Sequence, residues 1–284
     1  MTVRRRVLMI GHGAIGRALT KHLDATGRYD LAVWLRHASN PQQKQDTHTT
    51  TVAAIDHCQS LYSHREVRGF DPEMVVECAG PEAVRTLVPL MLADGVPVLI
   101  ASVGAMADPS IHTALTSAAR GRARILVPSG AIGGLDYLDA VAGEPDLQVD
   151  YISIKPVAAW REELRRQGVD PEVLDTPYTL FVGTAAEAAR RYPQNLNVAA
   201  TLALHGTGME ATRVTVLADP SIEVNTHEVR VRSTAGVATF RFENQPSIDN
   251  PKTSALTALS LAAEVARFFA TFRCATNETR CHDH

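Results

Sequence analysis

Short apolar runs separated by helix-compatible stretches organise the first half of the chain. Val7-Leu8-Met9-Ile10 reads as a strand, the turn Gly11 to Gly16 follows, and Arg17 to Leu23 continues as a helix. Leu31-Ala-Val-Trp-Leu35, Met74-Val-Val-Glu-Cys78, Val96-Pro-Val-Leu-Ile100 and Arg124-Ile-Leu-Val127 are further strand candidates. Helices are predicted from Pro81, favoured in a first helical turn, through Met91, and from about Ser110 to Arg120. The polar stretch His37 to Thr51 has no apolar period and reads as a long loop. Strands alternating with helices imply a parallel sheet, because parallel neighbours need a crossover between them. Ligands then gather at the C-terminal ends of the strands, where Ala79-Gly80 and Ala101 to Ala105 form turns.

Beyond Pro128 the pattern changes. A glycine-rich connection, Ser129 to Leu135, leads to Val149 to Val157, Arg213 to Leu217, Glu228 to Arg232 and Ala238 to Phe242, with alternating or β-branched character. Such strands suggest a mainly antiparallel sheet. Ala185 to Tyr192 is a helical stretch and Val198 to Leu204 a small-residue segment. The last helix, Ser254 to Phe272, is apolar on more than one face and is expected to pack back on the first half. The fold class is therefore α/β, a Rossmann-type doubly wound parallel sheet with a second α+β domain carrying a mainly antiparallel sheet. Its expected division is residues 1–128 plus about 246–284 for the first domain and 129–245 for the second.

Composition narrows the function. A chain of 284 residues is long enough for two domains and needs no cross-links. Its four cysteines have no framework spacing, there is no apolar run of membrane-spanning length, and no N-terminal signal pattern is visible, so the expectation is a reduced cytoplasm and no membrane. A net charge of −3 gives no reason to expect nucleic acid, and Arg4-Arg5-Arg6 reads as a solvated strand entrance. The tail Cys281-His282-Asp283-His284 reads as a frayed end and no metal is expected. Only Lys21, Lys44, Lys155 and Lys252 are lysines, which leaves Lys155 and Lys252 as candidates for lysine chemistry.

Gly11-His12-Gly13-Ala14-Ile15-Gly16 is a G-x-G-x-x-G between a strand and a helix, the context a dinucleotide needs. Gly11 permits the turn, Gly13 lets a pyrophosphate approach the backbone, and Gly16 lets the helix lie close to the sheet. An NAD-specific site usually carries Asp or Glu at the end of the second strand. Here Arg36 stands there with His37 and Ser39 after it, which predicts good use of NADP, alongside NAD; the bland reading is that Arg36 stacks on adenine.

The second half carries a dense set of polar residues: Tyr192 to Asn197, Ala218-Asp219-Pro220, Asn225-Thr226-His227, Glu243 to Ser247 and Asn250 to Ser254. Period two at a strand start places Asn225 and His227 on one face. A histidine there can move a proton near neutral pH, or be a buried and satisfied core residue.

These strings, with Phe181 to Ala188, Ser129 to Gly134 and Gly11 to Gly16, resemble the L-aspartate dehydrogenase family over nearly the whole chain apart from the tail. The resemblance implies hydride transfer from the α-carbon of L-aspartate to a nicotinamide, giving iminoaspartate, which hydrolyses to oxaloacetate and ammonia or feeds pyridine nucleotide synthesis, reversibly as reductive amination. It implies His227 as the catalytic residue and Ala131 and Asn197 as cofactor contacts beside Gly11, Gly13, Ala14, Ile15, Gly16, Arg36, Ala79 and Gly80. Asn225 would be a neighbour of substrate or nicotinamide, and Lys252 and Lys155 would supply charge for a dianionic substrate. It also suggests a homodimer. A sugar or inositol dehydrogenase of similar architecture fits less well, because Ala101-Ser102-Val103 replaces the expected Glu-Lys-Pro. A sensor that binds NADP without turnover would not require the Asn225, His227 and Lys252 chemistry.

Overall fold

The computed structural model describes residues 3–35, 58–192, 197–247 and 250–278, with side chains given outside 250–252 and 271–278. The first half contains β1 (Arg5–Ile10), α1 (Ala14–Asp24), β2 (Tyr29–Trp34), β3 (Cys58–Leu61), α2 (His64–Phe70), β4 (Met74–Glu77), α3 (Pro81–Thr86), α4 (Val88–Ala93), β5 (Val98–Ile100), α5 (Pro109–Ala119) and β6 (Ile125–Leu126). The six strands form one sheet in the order β3-β2-β1-β4-β5-β6, and every neighbouring pair is parallel. The order reverses between β1 and β4, which opens a crevice at their C-terminal ends.

Parallel strands covered on both faces need apolar side chains throughout. Val7, Leu8, Met9 and Ile10 are accordingly all buried. Leu8, Ile10 and Val75 pack under α4 and α5 through Met91, Leu92 and Leu115. Val7, Met9 and Val76 pack on the opposite face against Leu19 and Leu23 of α1.

The second half contains α6 (Leu135–Val141), β7 (Gln148–Pro156), α7 (Val157–Arg166), β8 (Tyr178–Thr184), α8 (Ala185–Arg191), α9 (Asn197–His205), β9 (Arg213–Asp219), β10 (Asn225–Ser233), β11 (Gly236–Asn244), β12 (Pro246–Ser247), β13 (Asn250–Ser254) and α10 (Ala255–Glu278). Five of its strands form a sheet in the order β11-β10-β7-β9-β8. The pairs are antiparallel except β7 with β9, which are parallel. The parallel pair is possible because α7, β8, α8 and α9 intervene and carry the chain back across the sheet. Helix α10 then returns to the first sheet, where Leu261, Val265, Phe268 and Phe269 join the core of β1 and α1. Each such buried side chain contributes roughly 2 kcal/mol.

Several elements differ from the periodicity reading. The helix expected from Pro81 through Met91 is two helices meeting at Leu87, because Pro89 has no N–H to continue the ladder back to Arg85. The edge strand expected over Arg124 to Val127 pairs only at Ile125 and Leu126. The small-residue segment Val198 to Leu204 is the core helix α9. Elements β3, α2, α6 and β8 are short, at four to seven residues, and α7, though amphipathic through Trp160 and Leu164, directly continues strand β7. Helix α2 is set by a capping box between Ser63 and Glu66. The loop expected at His37 to Thr51, Lys44 and the Cys281-to-His284 tail lie outside the described residues. Among the described residues no helix is long and apolar enough to cross a membrane.

Candidate active site

The glycine turn shows what each glycine does. Gly11 has φ of +97°, and a Cβ there would lie 2.7 Å from the Ala79 Cβ. At Gly16 a Cβ would lie 2.6 Å from the Gly11 carbonyl oxygen and 3.2 Å from Cys78 Sγ. These two glycines let β1, α1 and the loop after β4 touch. Gly13 differs: a Cβ there meets nothing within 4 Å, so its missing side chain leaves room on the open side of the turn. Gly13 is also the N-cap of α1, with no side-chain cap and no acidic residue in the first turn, which leaves main-chain donors and the positive helix end for an anion.

A groove of about 500 Å³ runs from this turn past Trp34, Leu35, Tyr62, Ala79 and Gly80. His12 lies in it with both ring nitrogens buried and without hydrogen bonds. Burial, then the charge of Arg17, lowers the His12 pKa. An open Cβ position, an uncapped helix end and an orphaned ring fit a dinucleotide phosphate group.

Glu77 ties the groove together from below. It is wholly buried at the end of β4. Its Oε1 accepts from Ala79 N at 2.8 Å, Gly80 N at 2.8 Å and Ser102 Oγ at 3.0 Å, and its Oε2 accepts from Ser102 N at 3.0 Å. Burial pushes its pKa up while these donors hold it down. The loops after β4 and β5 are thereby fixed to one carboxylate.

Where the ends of the two sheets approach each other, a second cavity of about 120 Å³ is lined from one side by Ile15, Ala101 and Val103 and from the other by Lys155, Asn225 and His227. Asn197 and Ala131 complete it. Asn197 Oδ1 accepts from Gly104 N at 2.9 Å, pinning the 3-10 turn Val103–Ala107 beneath the cavity. Asn244 Nδ2 donates to the Ala131 carbonyl at 2.7 Å, and Ser260 Oγ accepts from Gly130 N at 2.9 Å, so β11 and α10 shape the loop holding Ala131.

Cross-strand register assembles the polar wall. Thr226 and Ile154, then His227 and Ser153, lie opposite each other in β10 and β7, so Asn225 and His227 share the face of Tyr151, Ser153 and Lys155. His227 is 5% exposed and Lys155 also 5%, unusual burial for a lysine. The Lys155 Nζ sits 5.4 Å from the Trp160 ring centre, a cation–π contact. His227 Nδ1 is hydrogen-bonded to the Tyr151 hydroxyl at 2.7 Å. Burial, then the charge of Lys155, lowers the His227 pKa to about 4, so the imidazole is neutral at pH 7.

A family profile described as aspartate dehydrogenase, C-terminal, matches residues 136–268. One described as homoserine dehydrogenase, NAD binding domain, matches residues 11–128. L-aspartate dehydrogenase 2 of Bordetella pertussis is 45% identical over 270 residues, covering 94% of this chain and 98% of that protein. The chain belongs to the aspartate dehydrogenase family. L-aspartate dehydrogenase of Ruegeria pomeroyi is 38% identical over 271 residues, covering 95% of this chain and 94% of that protein. The crystal structure of aspartate dehydrogenase from Thermotoga maritima superposes with a TM-score of 0.70 at 29% identity, covering 94% of this chain and 97% of that one.

In this aspartate dehydrogenase relative the sequence-predicted residues fall into two groups. Gly11 and Gly13 line the groove with Ala79 and Gly80, Ile15 reaches the cavity, and Ala14 and Gly16 lie in the first turn of α1. Ala131, Lys155, Asn197, Asn225 and His227 meet in the cavity. The Lys252 backbone lies in β13 and its side chain is outside the described residues, while its neighbours Thr253 and Ser254 line the cavity. Arg36, with His37 and Ser39, is outside the described residues.

The polar strings do not all serve the cavity. Tyr192 is a core residue packed edge-on against Trp160 and Phe181. Asp219 caps its own turn by accepting from Ser221 N, and Glu243 pairs with Arg241 at the surface. Sequence reasoning missed Tyr151 and Glu77. The alternation Tyr151-x-Ser153-x-Lys155 in a strand was the available signal for the first; for Glu77 it was a lone acid inside an apolar run.

Proposed function

We propose that this protein oxidises L-aspartate to iminoaspartate, transferring hydride from the α-carbon to NAD or NADP, with hydrolysis to oxaloacetate and ammonia following. The observation that carries this reading is a neutral, buried histidine beside a buried lysine in a cavity that Ile15, from the first turn of the helix following the glycine turn, also lines. A dicarboxylate needs cationic and hydrogen-bonding partners on release from water, and Lys155, Asn225 and, from its chain position, Lys252 supply them.

The nicotinamide, when bound, supplies the hydride acceptor. The residues to hold it are Gly11, Gly13 and the first turn of α1 for the phosphates, and Ala131 and Asn197 near the cavity. The substrate ammonium must lose a proton before hydride can leave its carbon. His227, neutral at pH 7, takes that proton through Nε2, since Nδ1 is engaged by Tyr151. A bound carboxylate beside the ring raises the pKa of the imidazole and makes it a better base. Ile15, Ala101 and Val103 give the cavity an apolar side facing the polar wall of Lys155, Asn225 and His227.

The same reading divides the chain into 1–128 with about 246–284, and 129–245; the change of family profile between residues 128 and 136 supports the first boundary, and the packing of Leu261, Val265, Phe268 and Phe269 on the core of β1 and α1 supports the return of the last helix, although the second profile itself runs on to residue 268. It further takes the protein as a cytoplasmic homodimer that engages no nucleic acid. The net charge of −3 supports the last point, and light scattering at twice the 30.7 kDa chain mass would support the dimer.

The test follows nicotinamide absorbance with L-aspartate and each cofactor in turn. Reduced cofactor is expected with aspartate and not with sugar alcohols. Reduction with a sugar alcohol and none with aspartate would overturn the proposal.

A further inference from the structure

Tyr151 is 1% exposed and does not line the cavity, yet its hydroxyl lies on the ring nitrogen of His227 that faces away from the substrate side. The two residues are diagonal neighbours on an antiparallel pair, since Ser153 stands opposite His227 and Tyr151 opposite Val229. Their rings stack at 17° with centres 6.0 Å apart, which fixes the imidazole plane. A phenol this deeply buried is cut off from bulk water, so its proton and lone pairs need partners inside the fold. Burial also raises its pKa, so Tyr151 keeps its proton at any working pH and does not compete as a base. Ser153, on the same face of β7, is wholly buried and near enough to the phenol to act on its pKa, and its Oγ is otherwise without a partner, which makes it the acceptor available to the phenol proton.

We propose that Tyr151 is a positioning residue that sets the tautomer of His227: its oxygen accepts Nδ1–H, its own proton turns to Ser153, and the Nε2 lone pair is left facing the substrate. The reverse arrangement, with Tyr151 donating to Nδ1, would leave a hydrogen on Nε2 and make His227 a carboxylate donor and not a base. The inference rests on the role given to His227 above and names the residue that prepares it for that role. When His227 takes the substrate proton, the imidazolium keeps its Nδ1–H bond to Tyr151, which favours the charged form. Among the described residues the titratable groups facing the ring are Tyr151 and Lys155, both from β7, and the other polar lining groups are amides and hydroxyls.

Two measurements test it. In histidine-labelled, cofactor-free protein, nitrogen NMR identifies the His227 signals by their loss in His227→Gln. At pH 7.5 to 8, chosen well above the ordinary histidine pKa, Nδ1 is expected to carry the hydrogen and Nε2 none; the opposite assignment overturns the proposal whether or not aspartate is the substrate. The second is the pH profile of kcat/KM for aspartate oxidation in Tyr151→Phe, which keeps the ring. Loss of the acceptor moves the acid limb down by about one pH unit and lowers kcat about tenfold, with KM within about twofold. A limb that stays in place, or moves up as loss of a donor would require, overturns it. Ser153→Ala should shift the limb in the same direction by less. Should Tyr151→Phe fail to fold, the wild-type NMR assignment alone decides.

Discussion

In the groove beside α1 the surface around the glycine turn is largely main chain: glycines 11 and 13, the uncapped amides of the first helical turn, and the Ala79-Gly80 loop held by Glu77, with His12 beside them and Trp34, Leu35 and Tyr62 farther along. In the cavity between the sheets it is side chains: His227 and Asn225 from β10, Lys155 from β7, and Asn197 from α9. A main-chain surface tolerates substitution wherever the outgoing side chain finds room and fails where chains touch. A side-chain surface depends on the identity of each residue and on the register that brings it there.

The contrast can be broken first at its chemical end. His227→Ala is expected to lower kcat by at least the roughly 100-fold typical of a lost acid–base group while dinucleotide affinity, measured by fluorescence titration, changes little. Near-normal turnover would remove His227 from the chemistry and leave the cavity a binding site only.

The groove is tested by two glycines that stand two residues apart in the motif and play different roles. Gly11→Ala puts a Cβ into Ala79 at a positive φ, so unfolding in urea should show a loss of about 2 to 3 kcal/mol. Gly13→Ala meets open space, so stability should stay within about 0.5 kcal/mol while dinucleotide affinity falls about thirtyfold. Equal affinity in wild type and Gly13→Ala would show that phosphate does not approach that face.

Stability against pH probes the cavity without substrate. The unfolded chain takes a proton on His227 as pH falls below 6.5, whereas the folded one refuses it until about 4. Stability held above pH 6.5 is therefore lost as pH falls through that window, by about 2 kcal/mol between pH 7 and 5. His227→Gln should lose that much less than wild type across the same interval; identical losses would mean the imidazole is not buried as a neutral group.

The smallest expected effect concerns the dinucleotide's far end. Arg36→Asp should weaken NADP about tenfold and leave NAD nearly unchanged. An equal loss for both would point to adenine stacking.

The glycine turn was legible because its function is local: strand, turn and helix lie within twenty residues, and each glycine answers to a backbone constraint the motif states. Asn225 and His227 were legible as same-face neighbours because strand period is two. Helix α9 was not, since its alanines bury without a polar face and leave no amphipathic period. The division of labour within the polar strings was hidden too. Tyr192 and Asn197 sit five residues apart, yet one packs under Trp160 and the other holds Gly104 at the cavity floor.

By itself the sequence determined the parallel sheet, the dinucleotide turn and the family, and it singled out the histidine to which the proposed chemistry is given. Each of those follows from contacts between residues near in the chain or from strings long enough to be specific. The tertiary structure decided the protonation and partners of that histidine. Tyr151 and Lys155 lie more than seventy residues away from it, and only the β7–β10 register brings a phenol to one ring nitrogen and a positive charge to the cavity beside it.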